Sequence, residues 1–327
     1  MGLLFGHMAL RIPSVRLGAA RLARGRLAQA RLVDGAKARV RGRRTVSSIE
    51  ELDEVLVEVD EANAKSHDAG MAALSKLRFA SPTDLPSDPD SDEYREYQLD
   101  FYRRLSSKAT YEAAESEVSA VTSDASPSGL YPYSTGSAAA IGQQLVAQGF
   151  AIETMNLASG SRVVEFGSGW GHLTLQLALS GCDVTSVEIN PGMGEIIRGQ
   201  AVRNDVNINV VVDDMLAFRP DGPVDAAIFF ESFHHCLDFP KLLDQLDDMV
   251  APDGMVAFVA EPISAFPYPW GLRLDGLSLW SIRREGWCEL GFSTGYFRGL
   301  MEVRGWALQH KHIRGQRLAD VWIARRA

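Results

Sequence analysis

Short apolar runs alternate with helix-like segments through the second half of this chain. The first run, VVEF at residues 163–166, is followed by a glycine turn and then by leucines at helical positions. Runs this short and this apolar are typical of parallel strands that helices cover on both faces. The pattern therefore predicts an α/β fold with a mostly parallel sheet. The further predicted strands are residues 183–187, the strand-like segment 207–215, and residues 225–230 and 255–260.

The N-terminal half has a different pattern. Ser48 and Glu51 form a capping-box pair ahead of apolar positions at helical spacing, and the segment 93–106 predicts another, tyrosine-rich helix. We interpret residues 48–121 as a helical cap, whose aromatic side chains pack on the sheet domain. A linker, residues 122–136, joins the cap to the sheet domain, residues 137–327.

The glycine turn after the first strand carries the clearest chemical signal. Gly167, Gly169 and Gly171 allow a ligand to approach bare backbone N–H groups. The next strand ends in Glu188, nineteen residues after Gly169, where a carboxylate can accept hydrogen bonds from a ribose diol. The unit therefore predicts a site for an adenosine-like ligand.

Two side chains at this turn distinguish among adenosine-like ligands. A dinucleotide-binding turn has a third glycine where this chain has His172. Glu165, two residues before Gly167, would repel a pyrophosphate, but it suits a ligand that carries an ammonium and a sulfonium group. S-adenosylmethionine meets both conditions.

At these positions the chain resembles the class I S-adenosylmethionine-dependent methyltransferases, over residues 131–327. The resemblance implies a Rossmann-like sheet with helices on both faces and an antiparallel last strand. It also implies that Glu188 binds the ribose, that Asp214 binds the adenine amino group, and that the segment 131–136 covers the methionine end of the cofactor. An ordinary helix start with Thr135 as the N-cap is the alternative for that segment. The candidate cofactor residues are Glu165, Gly167, Ser168, Gly169, Gly171, Glu188, Ile189, Asp213, Asp214, Met215, Tyr133, Thr135 and Gly136.

Three polar side chains follow the fourth predicted strand, at the sheet edge where open α/β folds bind their ligands. A hydroxyl nucleophile benefits from a base, and histidine titrates in the useful range, so His234 or His235 is the candidate base. Glu231 would orient an imidazole or bind substrate hydroxyls. The alternative is that these residues only form a wall of the cofactor site. We expect no metal, because adjacent histidines point apart and no HxxxH pattern is present.

The segment 262–293 is predicted to be an insert that rises over the same edge and contacts the substrate. Its tryptophans alternate with charged residues, a mixture that suits sugars or other polar rings, although a packed lid is the alternative. Motifs in and around it are similar to those of a bacterial methyltransferase subgroup found in polysaccharide and glycan-modification settings. The candidate substrate residues are Trp270, Arg273, Trp280, Arg283 and Trp287.

Charge is divided unevenly along the chain, whose formal net charge is −9. Residues 1–44 hold eleven Lys and Arg residues against one Asp, so residues 1–47 are predicted to form a basic, flexible or partly helical arm. Such an arm could instead contact an acidic protein or a membrane surface. The acidic body and the lack of an NPPY-like motif disfavour nucleic acid as a partner.

The remaining features concern location and function. No apolar run approaches the length of a transmembrane helix, and three cysteines without CxxC spacing suit a reducing cytoplasm. The sequence therefore predicts a cytoplasmic enzyme that methylates a hydroxyl of a small molecule or glycan precursor. The alternatives are N- or C-methylation of a small molecule, and a non-catalytic cofactor-binding or scaffold protein.

Overall fold

Four helices and two short strands precede the sheet domain in the computed structural model, which describes residues 43–118 and 127–327. The strands β1 (Arg44–Val46) and β2 (Leu77–Phe79) pair with each other, which the apolar pattern did not predict. Ser48 begins the first helix, since its Oγ accepts a hydrogen bond from Glu51 N at 3.2 Å. The helices are α1 (Ile49–Asn63), α2 (His67–Leu74), α3 (Asp92–Ser106) and α4 (Ala113–Ser116).

The next helix is α5 (Ala138–Met155). Ser137 is its N-cap, because Ser137 Oγ accepts a hydrogen bond from Ala140 N at 3.2 Å. Thr135 lies instead in a 3₁₀ turn, and its Oγ1 accepts from Ser137 N at 3.1 Å. The helix-start interpretation of Thr135 is therefore wrong in detail.

Five parallel strands follow, and each pairs along the register that a doubly wound sheet requires. They are β3 (Arg162–Phe166), β4 (Asp183–Glu188), β5 (Ile208–Val212), β6 (Val224–Phe230) and β7 (Val250–Val259). Apolar side chains cover both faces, as in Val163, Val164 and Phe166, which are all at most 1% exposed. The connecting helices are α6 (His172–Leu179), α7 (Pro191–Arg203) and α8 (Phe239–Met249).

The predicted insert, residues 262–293, forms a small sheet of its own. Its strands β8 (Ile263–Ser264), β9 (Trp270–Leu272) and β10 (Leu290–Ser293) lie in the order β8-β10-β9. The short helix α9 (Gly276–Trp280) and a π-helical turn at Ser281–Glu285 lie between β9 and β10. The insert is therefore an ordered subdomain.

The chain ends with α10 (Thr294–Glu302), β11 (Trp306–His312) and β12 (Asp320–Arg326). The strand β12 runs antiparallel to both β7 and β11, which completes a sheet in the order β11-β12-β7-β6-β3-β4-β5. The predicted fold class, an α/β Rossmann-like sheet with an antiparallel last strand, is confirmed.

Residues Thr45–Ala327 form one compact unit. A single apolar cluster joins the N-terminal helices, the insert and one face of the sheet, with Leu52, Phe101, Leu279 and Phe258 among its members. The predicted arm up to residue 42, the end of the predicted cap from residue 119, and the linker up to residue 126 lie outside the described residues. Among the helices that are described, none is long and apolar enough to cross a membrane.

Candidate active site

A cavity of about 620 Å³ lies at the carboxyl ends of β3, β4, β5 and β6. Its walls include the glycine turn, the end of each of these strands, and residues of α3 and α4 from the N-terminal helices. Parallel strands expose their ligand-binding crevice at this edge. The N-terminal helices therefore complete a cleft that the sheet alone leaves open.

The glycine turn brings bare backbone to the cavity. Gly167 and Gly169 both have positive φ, at 65° and 52°, a region that favours glycine. A Cβ on Gly167 would lie 2.6 Å from Ser232 Cβ, whereas a Cβ on Gly169 would meet no atom within 4 Å. The space beside Gly169 is thus open for a ligand that approaches the backbone. Ser168 also lines the cavity, while Gly171 meets Ile197 behind the turn.

Glu188 joins the end of β4 to this turn. Its Oε2 accepts a hydrogen bond from Gly169 N at 2.7 Å, and its Oε1 accepts from Asn190 N at 2.8 Å. Burial raises the pKa of Glu188, and these backbone donors partly oppose that shift. The carboxylate and the neighbouring Ile189 line the cavity, which is consistent with the predicted contact between Glu188 and a ribose diol.

The end of β5 supplies the next stretch of wall. Asp213, Asp214 and Met215 all line the cavity. Asp214 Oδ1 accepts a hydrogen bond from Leu216 N at 2.7 Å, and Asp213 Oδ1 accepts from Asp214 N at 2.8 Å. The predicted adenine-binding residues therefore lie along the same cavity as Glu188.

Glu165 is placed differently from the prediction. It is 1% exposed, does not line the cavity, and accepts a short hydrogen bond from the hydroxyl of Thr174. Burial, and to a smaller extent the charge of Glu188, raises the pKa of Glu165 to about 8, against the effect of Thr174. Contrary to the prediction, Glu165 is a buried group that supports the turn from behind and does not reach the ligand space.

The segment at residues 131–136 is also corrected in its details. Tyr131 and Pro132 line the cavity, whereas Tyr133, Thr135 and Gly136 do not. His172, at the position of the missing third glycine, lies 2.7 Å from the main-chain oxygen of Tyr131 through its Nε2, and its ring packs edge-on against Tyr133. In the sequence, His172 argues only against a dinucleotide ligand. In the structure it connects the glycine turn to the covering segment.

Glu231 occupies the first position after β6. Its φ of 51° lies in the left-handed region, which costs a non-glycine residue energy and is often found at functional sites. The side chain lines the cavity, and its Oε2 accepts a hydrogen bond from Gln144 Nε2 at 2.8 Å. Glu231 is not paired with either neighbouring histidine, so it does not orient an imidazole.

The two candidate bases have different surroundings. His234 is 5% exposed, lies outside the cavity wall, and pairs through Nδ1 with Glu261 Oε2 at 2.7 Å. His235 lines the cavity with a side chain that is 21% exposed, and its Nδ1 lies 3.1 Å from Glu117 Oε2. That contact is an ion pair in which the N–H direction is not aligned with the oxygen. Of the two histidines, only His235 can therefore contact a substrate that is bound in the cavity.

The protonation of His235 argues against its predicted role as a base. Burial lowers the pKa of His235, but the carboxylates of Glu117, Glu289 and Glu261 outweigh burial and raise it to about 9. An imidazole with that pKa keeps its proton near neutral pH. His235 is thus a cation and a hydrogen-bond donor at the cavity wall.

The two histidine rings do not point apart, contrary to the argument used against a metal. Their centroids are 4.3 Å apart, and one ligand-type atom each of His234, His235 and Glu289 lies within 4.8 Å of the others. However, Glu289 Oε2 already contacts Arg273 Nη1 at 3.3 Å and accepts a hydrogen bond from Ser278 Oγ at 3.1 Å. We therefore describe this cluster as an ion-pair network.

Of the five candidate substrate residues in the insert, only Trp287 lines the cavity. Trp270 Nε1 donates to Pro89 O at 2.8 Å, and Trp280 Nε1 donates to Asp60 Oδ1 at 2.9 Å. Arg273 pairs with Asp275 and Glu289, and Arg283 pairs with Asp53 at 2.6 Å. These four residues hold the insert together or attach it to the N-terminal helices, as the packed-lid alternative proposed.

The N-terminal helices contribute wall residues that sequence reasoning missed. They include Arg95 of α3 and three residues that flank α4, namely Tyr111, Glu112 and Glu117. The tyrosine-rich pattern around Arg95 indicated packing, and nothing in its spacing marks a residue that reaches a cavity. Arg95 is held there by Asp238, at 3.0 Å and 143 residues away in the sequence.

The fold and this cavity are those of a class I methyltransferase, since an open backbone turn and the carboxylates at the ends of β4 and β5 line one crevice of a Rossmann-like sheet. The chain belongs to the methyltransferase-domain family, whose sequence profile matches residues 139–312. Its cofactor is S-adenosylmethionine, as the sequence predicted. The open space at Gly169 and the placement of Glu188 fit that cofactor.

Individual relatives match shorter stretches of this chain than the family profile does. The chain is 27% identical over 113 residues to the ubiquinone biosynthesis O-methyltransferase of Xylella fastidiosa, which is 33% of this chain and 46% of the relative. It is 29% identical over 104 residues to the demethylmenaquinone methyltransferase of Thermus thermophilus, at 31% and 47% coverage. The chain thus spans about half the length of the curated relatives it matches.

A similar solved structure is the 1,6-didemethyltoxoflavin-N1-methyltransferase of Burkholderia thailandensis, determined with 1,6-didemethyltoxoflavin and S-adenosylhomocysteine bound. It is 16% identical with a TM-score of 0.44, and the match covers 57% of this chain and 78% of that one. The magnesium protoporphyrin IX methyltransferase of Synechocystis has a TM-score of 0.43 and 16% identity, at 57% and 84% coverage.

Proposed function

We propose that this methyltransferase transfers a methyl group from S-adenosylmethionine to a hydroxyl of a small molecule or a glycan precursor. The observation that carries the proposal is Glu231, a carboxylate aimed into the cavity from a strained backbone position. Glu112 and Asp238 add further carboxylates to the wall, and Trp287 adds an aromatic side chain. Carboxylates accept hydrogen bonds from hydroxyls, and aromatic rings pack on sugar or other flat rings.

The chemistry requires alignment and a place for one proton. When bound, S-adenosylmethionine supplies an electrophilic methyl group, whose S–C bond breaks as the C–O bond forms. Glu231 accepts the hydrogen bond of the acceptor hydroxyl and takes up its proton as the oxygen is methylated. Gln144 holds this carboxylate in place, because its Nε2 donates a hydrogen bond to Oε2 of Glu231. Glu231 thus takes the role that the sequence gave to a histidine.

The similarity to the ubiquinone biosynthesis O-methyltransferase is consistent with oxygen as the acceptor atom. Methylation at nitrogen or carbon is the alternative, and in that case Glu231 would shape the pocket without removing a hydroxyl proton. A non-catalytic cofactor-binding protein is the second alternative.

We place the activity in the cytoplasm, because Cys182, Cys236 and Cys288 are all free and buried.

The test is methyl transfer from ¹³C-methyl-labelled S-adenosylmethionine into the small-molecule and glycan fractions of a cell extract. Mass spectrometry identifies the labelled product, and ¹³C NMR identifies the atom that carries the methyl group. We expect an O-methyl product, and we expect Glu231→Gln to lower kcat about a hundredfold or more. Glu302→Gln, an exposed acid on α10, is the matched control and should keep the wild-type rate.

Two results would contradict the proposal. The first is a label on nitrogen or carbon, which would favour the alternative reaction. The second is an unchanged rate for Glu231→Gln at equal S-adenosylhomocysteine affinity. Cofactor binding without any labelled product would instead favour a non-catalytic protein.

A further inference from the structure

The acceptor end of the cavity depends on a residue that precedes the family domain. The family match begins at residue 139, but Glu117 follows α4 and lines the cavity with a side chain that is 11% exposed. Neither the sequence pattern nor the family match assigns it a role. Its side chain contacts the region around α4, the residues that follow β6, and the insert.

Each oxygen of Glu117 has a defined partner. Oε1 accepts a hydrogen bond from Cys288 N in the insert at 2.7 Å, and the hydroxyl of Tyr111 lies 2.9 Å from the same oxygen. Oε2 lies 3.1 Å from Nδ1 of His235, which follows β6. The Tyr111 hydroxyl is also 2.8 Å from the main-chain oxygen of His235. Glu117 and Tyr111 therefore hold both the ring and the backbone of His235.

The surroundings of His235 show why this contact matters. Glu117 faces it from the N-terminal helices, and the acids Glu261 and Glu289 act on it from the end of β7 and from the insert. His234 lies beside its ring, and Trp287 packs edge-on against it at 5.8 Å. Glu188 also interacts with it across the cavity wall, and Arg273 offsets the charge of Glu289. Of these acids, only Glu117 lies within ion-pair distance of His235.

We propose that Glu117 is a positioning residue that fixes His235, so that Nε2 of His235 donates a hydrogen bond to an oxygen of the acceptor. This inference rests on the proposed O-methylation. The Nδ1 edge of the ring is buried against Glu117, 3.1 Å from Oε2 and paired with it by charge, which leaves Nε2, on the other side of the ring, for the partly exposed cavity face. The acceptor is then a molecule with two nearby oxygens: a hydroxyl that meets Glu231 and a hydroxyl, carbonyl or carboxylate oxygen that meets His235.

The first arm of the test requires no acceptor. Histidine side-chain ¹⁵N NMR follows the titration of His235 in the full chain with S-adenosylhomocysteine bound. The variant Glu117→Gln keeps an oxygen acceptor for Cys288 N and Tyr111 but removes the charge. We expect His235 to titrate about one pH unit or more lower in this variant. Glu115→Gln, an exposed acid two residues away, is the matched control and should leave the titration unchanged.

The second arm measures methyl transfer to the small-molecule fraction that accepts label in the test above. Glu117→Gln and His235→Gln should each raise the apparent KM for this fraction about tenfold, because a charged hydrogen bond to the acceptor is lost. Their S-adenosylhomocysteine affinity and melting temperature should remain close to the wild-type values. Glu117→Asp keeps the charge, so its apparent KM should lie between that of the wild type and that of Glu117→Gln.

An unchanged His235 titration in a folded Glu117→Gln variant would overturn the positioning role. A wild-type KM in both variants would overturn the hydrogen bond to the acceptor. A product methylated on nitrogen or carbon would contradict the proposed function and, with it, the acceptor oxygen. In that case the NMR arm still reports separately whether Glu117 holds His235.

Discussion

Glu165 and Glu188 end up in opposite roles although each lies at the end of a neighbouring parallel strand. The carboxylate of Glu188 receives backbone N–H groups and borders the cavity, whereas Glu165 is enclosed and receives only the Thr174 hydroxyl. The sequence places both acids near the glycine turn, but it does not reveal which side of the turn each carboxylate faces. That direction depends on contacts such as the one between Glu165 and Thr174 of α6, which only the folded structure provides.

The burial of Glu165 leads to a pH-dependent prediction for stability. The pKa of Glu165 is raised from 4.5 to about 8, so between these values the folded carboxyl keeps a proton that the unfolded chain releases. Folding is therefore progressively disfavoured as the pH rises through that window. Glu165→Gln should gain stability over the wild type from pH 4.5 to 8, by up to about 1.4 kcal/mol per pH unit.

Urea unfolding of both proteins across this pH window measures the difference. Glu153→Gln, an exposed acid on α5, is the control and should show no such trend relative to the wild type. A stability difference between Glu165→Gln and the wild type that stays constant with pH would show that Glu165 is ionised in the folded protein.

At the scale of the elements, the start of α6 contacts the segment that is predicted to cover the cofactor. His172 joins that helix to the segment around Tyr131, and burial lowers the pKa of His172, so the ring is neutral and its Nε2 can donate the bond to Tyr131 O. His172→Ala removes this bond and the edge-on packing of Tyr133. We expect S-adenosylhomocysteine to bind about fivefold more weakly, the loss of roughly one hydrogen bond.

Isothermal titration calorimetry at neutral pH provides this comparison. His312→Ala, at an exposed position on β11, is the control and should bind with wild-type affinity. If His172→Ala binds S-adenosylhomocysteine as tightly as the wild type, the covering segment does not depend on the His172 contact.

The insert illustrates what spacing can and cannot predict about an element. Its aromatic and charged residues predicted a substrate surface, but Arg283 pairs with Asp53 across 230 positions and Trp280 bonds to Asp60 across 220. Such partners lie on a distant helix, so the local pattern gives no indication of them. The strands β3 to β7 were predictable because their signal, a short apolar run before a turn or an acid, is local.

At the scale of the whole molecule, the N-terminal helices and the sheet share one core. Aromatic side chains connect the two parts. The ring of Tyr94 in α3 packs on Trp270 of the insert at a centroid distance of 5.1 Å, and Trp270 packs on Phe239 of α8 at 5.2 Å. The predicted helices and aromatic packing are present in the described part of the predicted cap, residues 48–118. The part of the cavity wall that these helices supply was not predictable, since it forms only when their side chains meet residues more than a hundred positions away.

This shared core predicts that the family domain is unstable when it is isolated. A fragment of residues 127–327 lacks the buried side chains of α1 and α3, among them Leu52, Leu56, Phe101 and Tyr102. Each such side chain contributes about 1.5–3 kcal/mol when buried, against a typical total stability of about 5–15 kcal/mol. Circular dichroism should show a cooperative thermal transition for the full chain and none for the fragment. A fragment that unfolds cooperatively at a similar temperature would contradict the single-core description.

We expect one end of the cavity to bind the cofactor and the other end to bind the acceptor. A crystal structure of the full chain with S-adenosylhomocysteine tests this assignment most directly. We expect the ribose hydroxyls within hydrogen-bond distance of Glu188, the adenine beside Asp214 and Met215, and the sulfur directed toward Glu231 and His235. S-adenosylhomocysteine bound in the reverse orientation, or outside this cavity, would contradict the account.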